Sequence, residues 1–205
     1  MKKLLLTGFE PFLDNPINPT ETLIMALHGV KIGNFKITGV LLPVDFEEAP
    51  KRLIETIDEE TPDAVISLGL ATGRTCITPE RVAINCRSGE PDNRGKRYED
   101  AWIIEDGPAA YFSKLPIRRI VECLKENHLP AEISNTAGTY LCNNVMYTGL
   151  HHLATKGIDI PSGFIHIPAS HELASKKSKP IPSWSMDDLE KGIRIAIECL
   201  NEKYN

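Results

Sequence analysis

Ala64-Val65-Ile66-Ser67-Leu68-Gly69-Leu70 is short, apolar and β-branched, the composition of a parallel strand buried on both faces. The segments around it alternate in type. Residues 3–7 read as a first strand, followed by a Pro-rich loop over 8–17. Asn18-Pro19-Thr20-Glu21 then opens a helix, with Asn as N-cap, Pro in the first turn and Glu three residues past the cap; Gly29 can end it. Residues 36–42 read as a strand closed by Pro43, and Asp45 caps a helix running to about Glu60. Beyond the opening stretch, residues 80–86 read as a strand, and 87–108 as a long excursion rich in charge, Gly and Pro. Helical spacing of Ile117, Ile120, Val121 and Leu124 marks 113–127, and 132–135 is strand-like. Residues 141–156 are helical up to Gly157, 164–167 form another strand, and a last helix starts near Ser185 with an apolar stripe of Leu189, Ile193, Ala196, Ile197 and Leu200. Strand–helix alternation of this kind predicts an α/β sandwich, a mainly parallel sheet with helices on both faces, and one domain over 1–205.

Composition narrows the function. The 205 residues carry 23 basic and 28 acidic side chains, a net charge of −5, with 41% hydrophobic residues. No Lys/Arg cluster is interleaved with aromatics, so nucleic acid is not an expected partner. Lys176-Lys177-Ser178-Lys179 is short and followed by prolines at 180 and 182, and reads as a solvated loop. The opening residues carry two lysines and three leucines, less than the roughly 7–15 apolar residues of a signal peptide core. No run approaches the roughly 18 apolar residues of a membrane span. A cytoplasmic location and no membrane partner are expected. The five cysteines (Cys76, Cys86, Cys123, Cys142 and Cys199) form no C-x-x-C pair, and in a reducing compartment most are expected as free thiols.

Three positions carry the chemistry. Ser134-Asn135-Thr136-Ala137-Gly138-Thr139-Tyr140-Leu141-Cys142-Asn143-Asn144 delivers Cys142 through a polar turn to the start of a helix, expected at the C-terminal end of a strand. A buried, inert cysteine is the commoner fate of a free thiol. A helix N-terminus, however, lowers a thiol pKa and offers N–H groups to an oxyanion. His166, within Phe164-Ile165-His166-Ile167-Pro168, is either a satisfied core histidine or the base that takes the thiol proton; His171 is its competitor. Glu80 either pairs with Arg81 or Arg74, or orients the imidazole, with Asp92 as rival orienter. The Gly69-Leu70-Ala71-Thr72-Gly73-Arg74 segment resembles a phosphate loop only loosely, because it lacks the Gly-Lys-Ser/Thr ending. No His/Cys/Asp set has metal-ligand spacing.

These motifs, with Thr7-Gly8-Phe9-Glu10-Pro11-Phe12, Leu42-Pro43-Val44 and Pro91-Asp92-Asn93, resemble the pyroglutamyl peptidase type I family of cysteine peptidases over nearly the whole chain. The resemblance implies an α/β/α sandwich, Cys142 as nucleophile, His166 as base and acid, and Glu80 as orienting carboxylate. It implies removal of an N-terminal 5-oxoproline from peptides without metal or cofactor, and a homo-oligomer, often a tetramer. It places Phe9, Phe12, Asn18, Leu70 and Leu141 around the lactam, with Arg74 and Asp92 nearby. Thr72 departs from the Gly, Ala, Pro or Ser usual at its position, which bears on the loop's conformation. Two other readings remain open: a nucleoside phosphorylase-like transferase, which needs a phosphate site at 69–74, and an inactive binder of blocked peptide N-termini.

Overall fold

Ala64–Leu70 forms a strand buried at every position, because neighbouring strands close both its edges and helices cover both its faces. The computed structural model describes residues 1–13 and 15–201. In chain order the elements are β1 (Lys2–Phe9), α1 (Pro19–Leu27), β2 (Lys31–Ile32), β3 (Phe35–Leu42), α2 (Glu48–Glu60), β4 (Ala64–Leu70), β5 (Thr78–Pro79), β6 (Val82–Ile84) and β7 (Ala110–Phe112). They continue with α3 (Ile117–Glu126), α4 (Leu141–Thr155), β8 (Ser162–Ile167), β9 (Ala169–Ser170), α5 (His171–Ser175), β10 (Ser183–Trp184), α6 (Met186–Glu198) and a 3-10 turn, Cys199–Asn201.

The main sheet has the order β2-β3-β1-β4-β8-β5. Its β3, β1, β4 and β8 run parallel, and the two short edge strands β2 and β5 are antiparallel. Side-chain alternation splits each central strand between two cores. Leu4 and Leu6 of β1, Ala64, Ile66 and Leu68 of β4, and Ile165 and Ile167 of β8 pack with α1, α3 and α6. Leu5 and Phe9, Val65, and Phe164 of the same strands pack with α2 and α4. The result is a three-layer α/β/α sandwich with a mixed, mainly parallel sheet, as the alternation and the resemblance both imply.

Several expected boundaries hold for physical reasons visible in the structure. The Asn18 side chain accepts from the Thr20 N–H and caps α1. Asp45 Oδ1 accepts from the N–H groups of Glu47 and Glu48 and so braces the turn leading into α2, although the helix itself begins three residues later, at Glu48, with Glu47 in the N-cap position. Ser185 caps α6 through the Asp188 N–H. Gly157 adopts φ 66° just past α4, a conformation that favours glycine.

Other expectations are corrected. Residues 80–86 are not one strand. The Glu80 N–H donates to Phe164 O and the Arg81 N–H to Ser134 O, so the chain leaves the main sheet at Glu80 and pairs afresh as β6 with β7. Residues 132–135 make a single isolated bridge, Ser134 to Glu80, and Cys142 therefore follows an irregular approach rather than a strand. Helix α3 starts at Ile117 rather than 113. Pro116 disfavours helix at Leu115, and Lys114 donates its N–H to Ser162 O. Among the cysteines, Cys123 on α3 and Cys199 after α6 are joined by a disulfide, leaving Cys76, Cys86 and Cys142 free. Two elements far apart in sequence bring that pair together, so spacing carried no sign of it.

Candidate active site

Strand alternation already decides which side of the sheet carries the chemistry. His166 pairs with Gly69 in the parallel register of β4 and β8, and Phe164 pairs with Ser67. Phe164 belongs to the core under α2 and α4, so His166, two residues on, faces the same side. Helix α4 begins over this face. A Cβ built on Gly69 would lie 2.9 Å from Cys142 Sγ and 2.6 Å from Phe164 Cε1. Glycine at 69 is therefore a packing requirement. The sulfur rests directly on the β4 backbone, next to the strand that holds His166, and adjacent strands are about 4.8 Å apart.

Glu80 reaches the histidine from the other side. His166 Nδ1 donates to Glu80 Oε1 at 2.7 Å, and Glu80 is fully buried. A carboxylate only accepts, so the imidazole proton sits on Nδ1 and Nε2 keeps its lone pair. Arg74 Nη1 also meets Glu80 Oε1, at 2.7 Å, while its Nη2 donates to Thr136 O and its Nη1 contacts Thr78 Oγ1. Both sequence readings of Glu80 thus hold at once: it pairs with Arg74 and it holds the imidazole. Arg81 turns instead to Asn135 Oδ1.

The electrostatics keep thiol and imidazole neutral at rest. Burial pushes the Cys142 thiol up to about 12, and the Glu80 charge adds to this, against smaller lowering by Arg74 and a backbone hydrogen bond. The expected lowering by the helix N-terminus is outweighed, because desolvation of a thiolate costs more than the first-turn N–H groups return. Burial lowers the His166 pKa, with Arg74 acting the same way and Glu80 opposing.

Beside Cys142 opens a narrow crevice of about 20 Å³, closed down to roughly the space of one water. Phe9, Phe12, Asn18, Leu70 and Leu141, all expected at the site, line it together with Cys142. Val44 and Tyr140 line it too and were missed. The signal for Tyr140 was its place two residues before the cysteine; for Val44 it was the Leu-Pro-Val stretch after β3. Tyr140 donates its hydroxyl to Pro91 O at 3.1 Å, and burial pushes its pKa up to about 12. Asn18 is already engaged: Nδ2 donates to Glu10 O, and Oδ1 accepts from Thr20. It shapes the crevice by fixing the turn between β1 and α1.

The rivals fall elsewhere. His171 is exposed and bonds Ser183. Asp92 accepts from the N–H groups of Phe46, Arg94 and Lys96, which makes it a turn residue bracing the crevice wall. Thr72 is not among the residues with positive φ, so its β-branch fits the loop without strain. The 69–74 segment forms no phosphate cradle, since Gly69 lies under Cys142 and the Arg74 guanidinium is committed to Glu80.

An α/β/α sandwich that seats a cysteine at a helix start over β4, with a carboxylate-held imidazole on the adjacent strand β8, defines an α/β protein whose reactive side chains gather at the end of a parallel sheet. The pyroglutamyl peptidase family description matches residues 2–203. A pyrrolidone-carboxylate peptidase of Oceanobacillus iheyensis is 54% identical over 201 residues, covering 98% of this chain and all of that protein. A mutant pyrrolidone carboxyl peptidase from Pyrococcus furiosus superposes with a TM-score of 0.93 at 46% identity, covering 96% of this chain and 97% of its own. The Thermococcus litoralis enzyme gives 0.94 at 40% identity, covering 97% and 93%. The chain belongs to the pyroglutamyl peptidase family.

Proposed function

We propose that this protein is a cysteine exopeptidase that removes an N-terminal pyroglutamyl residue from peptides, with Cys142 as nucleophile, His166 as proton carrier and Glu80 as orienting carboxylate. The observation that carries the reading is the coincidence, on one face of one sheet, of the Cys142 sulfur over Gly69, the Glu80-held imidazole across the β4–β8 pair, and the apolar crevice beside them. His166 Nε2 takes the thiol proton as the sulfur attacks the pyroglutamyl carbonyl. The first-turn N–H groups of α4, which lack intrahelical partners, face the developing oxyanion. His166 then gives its proton to the departing amine, and water cleaves the thioester, returning the proton to sulfur.

The crevice suits this substrate. Phe9, Phe12, Val44 and Leu141 offer apolar walls to a small flat ring, for which the crevice has to widen from about 20 Å³, while a charged α-amine is excluded by its desolvation cost. With the Asn18 amide engaged in capping, backbone groups meet the lactam N–H and C=O. The transferase reading finds no phosphate cradle, and the binder reading finds its relatives among peptidases. Release of a fluorescent amine from its pyroglutamyl amide tests the assignment. Cys142→Ala is expected to lose at least about a thousandfold in kcat/KM while keeping its circular dichroism spectrum; near-full activity in that variant overturns it.

Three broader readings accompany this one. Residues 1–205 act as one domain, since both cores share the same strands. The site requires a reduced thiol, which fits the cytoplasm. Trp102 (60% exposed) and Phe112 (71% exposed) are large apolar groups left at the surface, which fits a homotetramer, with light scattering as its check.

A further inference from the structure

A second, larger groove adjoins the crevice. The two share Phe12 and Leu70 as walls. The groove continues past Leu70 along Ala71 and Thr72 and is closed on its far side by the 177–181 loop, with Ile181 packed toward Leu70. Its volume, about 480 Å³, is that of a ligand site rather than a packing defect. Two basic side chains, Lys177 and Lys179, border it. Lys177 is half-buried and Lys179 is exposed. Residues 177–179 of the basic run, which the sequence alone marks only as a solvated loop, are thereby brought to the rim of a groove that shares two walls with the crevice beside Cys142. This happens in a protein whose overall charge is −5.

The substrate gives this groove an occupant. A pyroglutamyl residue in the crevice is covalently joined to the peptide that must leave, so that peptide needs a channel sharing a wall with the crevice. We propose that the groove between the Phe12 wall and the 177–181 loop receives the leaving peptide, and that Lys179 makes the enzyme favour a carboxylate within the first few residues after the pyroglutamyl group. That carboxylate is an Asp or Glu side chain or the free C-terminus of a short peptide. This rests on the peptidase reading above and adds to it a preference the catalytic residues do not confer. The apolar walls accept the peptide backbone and small side chains, and Lys179 supplies long-range attraction that salt screens.

The test uses four peptides of equal length starting pyroglutamyl-Ala: amidated with Glu at the third position, amidated with Lys there, amidated with Ala there, and the Ala peptide with a free carboxylate. At low ionic strength the Glu peptide is expected to exceed the Lys peptide in kcat/KM by about three- to fivefold, the range one exposed charge pair supports. The ratio should collapse toward one in 0.5 M salt, a concentration set by the roughly 3–8 Å screening length it produces. Lys179→Glu should invert the ratio, and because the ratio is taken within one variant it is independent of how much enzyme is folded. The free-carboxylate peptide tells whether a C-terminus serves as well as a side chain. Equal rates for the Glu and Lys peptides in the parent, or a preference untouched by Lys179→Glu, overturn the proposal. Activity on the neutral amidated Ala peptide keeps the two questions apart: if the parent cleaves it but ignores charge, the groove assignment fails alone; if the parent cleaves none of the four, the peptidase reading fails with it.

Discussion

The two faces of the central sheet are built from the same strands by the same alternation, yet they end differently. On the α1, α3 and α6 face, β4 presents Ala64, Ile66 and Leu68, and β8 presents Ile165 and Ile167, all in one apolar cluster. On the α2 and α4 face the strands begin in the same way, with Val65 and Phe164, but toward their C-terminal ends they carry Ser67, Gly69 and His166. The hydroxyls of Thr7 and Ser67 satisfy each other there at 2.8 Å. One face spends its burial on stability. The other gives up hydrocarbon where strands end, so that an imidazole and a carboxylate can be buried against each other, with a half-buried sulfur on the same face. Buried polar groups are tolerated mainly where they pair, and His166 and Glu80 Oε1 pair here, which is why the substitutions cluster at one place instead of being spread over the face.

That contrast can be broken from either side. The largest effect is the loss expected for Cys142→Ala, a change in chemistry with little change in folding. Next comes Gly69→Ala, whose methyl group would overlap Phe164 and crowd the Cys142 sulfur. It is expected to cost about 1–3 kcal/mol of stability by overpacking and about a hundredfold in kcat/KM by displacing the thiol. Thermal melts and steady-state kinetics on the same preparation check both, and unchanged kinetics would mean the sulfur is not held against β4. On the opposite face, Ile193→Ala removes a fully buried side chain from α6. It should cost about 2–5 kcal/mol in urea unfolding, with kcat unchanged where the protein remains folded. A parallel loss in kcat would show that the two faces are not independent.

The smallest effect is on pH dependence. The proton acceptor must be neutral, and burial holds the His166 pKa below its ordinary value. The acid limb of kcat/KM should therefore lie below about 6.5, the ordinary histidine value. Glu80 raises the His166 pKa, so Glu80→Gln should move that limb to still lower pH, whatever its effect on the maximum. A limb shifted upward in Glu80→Gln would contradict the arrangement. The same sign appears in stability. The unfolded chain binds this proton more readily than the folded one, so acidification through the ordinary histidine range withdraws stability from the native state.

Local chemistry made much of this legible in advance. β4 is visible as Ala64–Leu70 because a doubly covered strand must be apolar throughout, and the starts of α1 and α6 are visible because Asn18 and Ser185 cap them. The five crevice residues drawn from the family resemblance all lie on its wall. The break at Glu80 was hidden, since residues 80–86 have strand-like composition and only the partners of Glu80 and Arg81 pull them out of the sheet. Short strands such as β9 and β10, two residues each, carry too little pattern to be read.

The sequence by itself determined the alternation of strands and helices, the caps, the buried central strand and the kinds of reactive side chain present, because each of these depends on residues close together in the chain. Only the tertiary structure decided which carboxylate meets His166, that Cys142 rests on Gly69 with its thiol held protonated, that Cys123 reaches Cys199, and that Lys177 and Lys179 border the groove. Those are contacts between segments tens of residues apart, fixed by strand order and register. They are also matters of burial, which shifts proton affinities by an amount that no local stretch of sequence encodes.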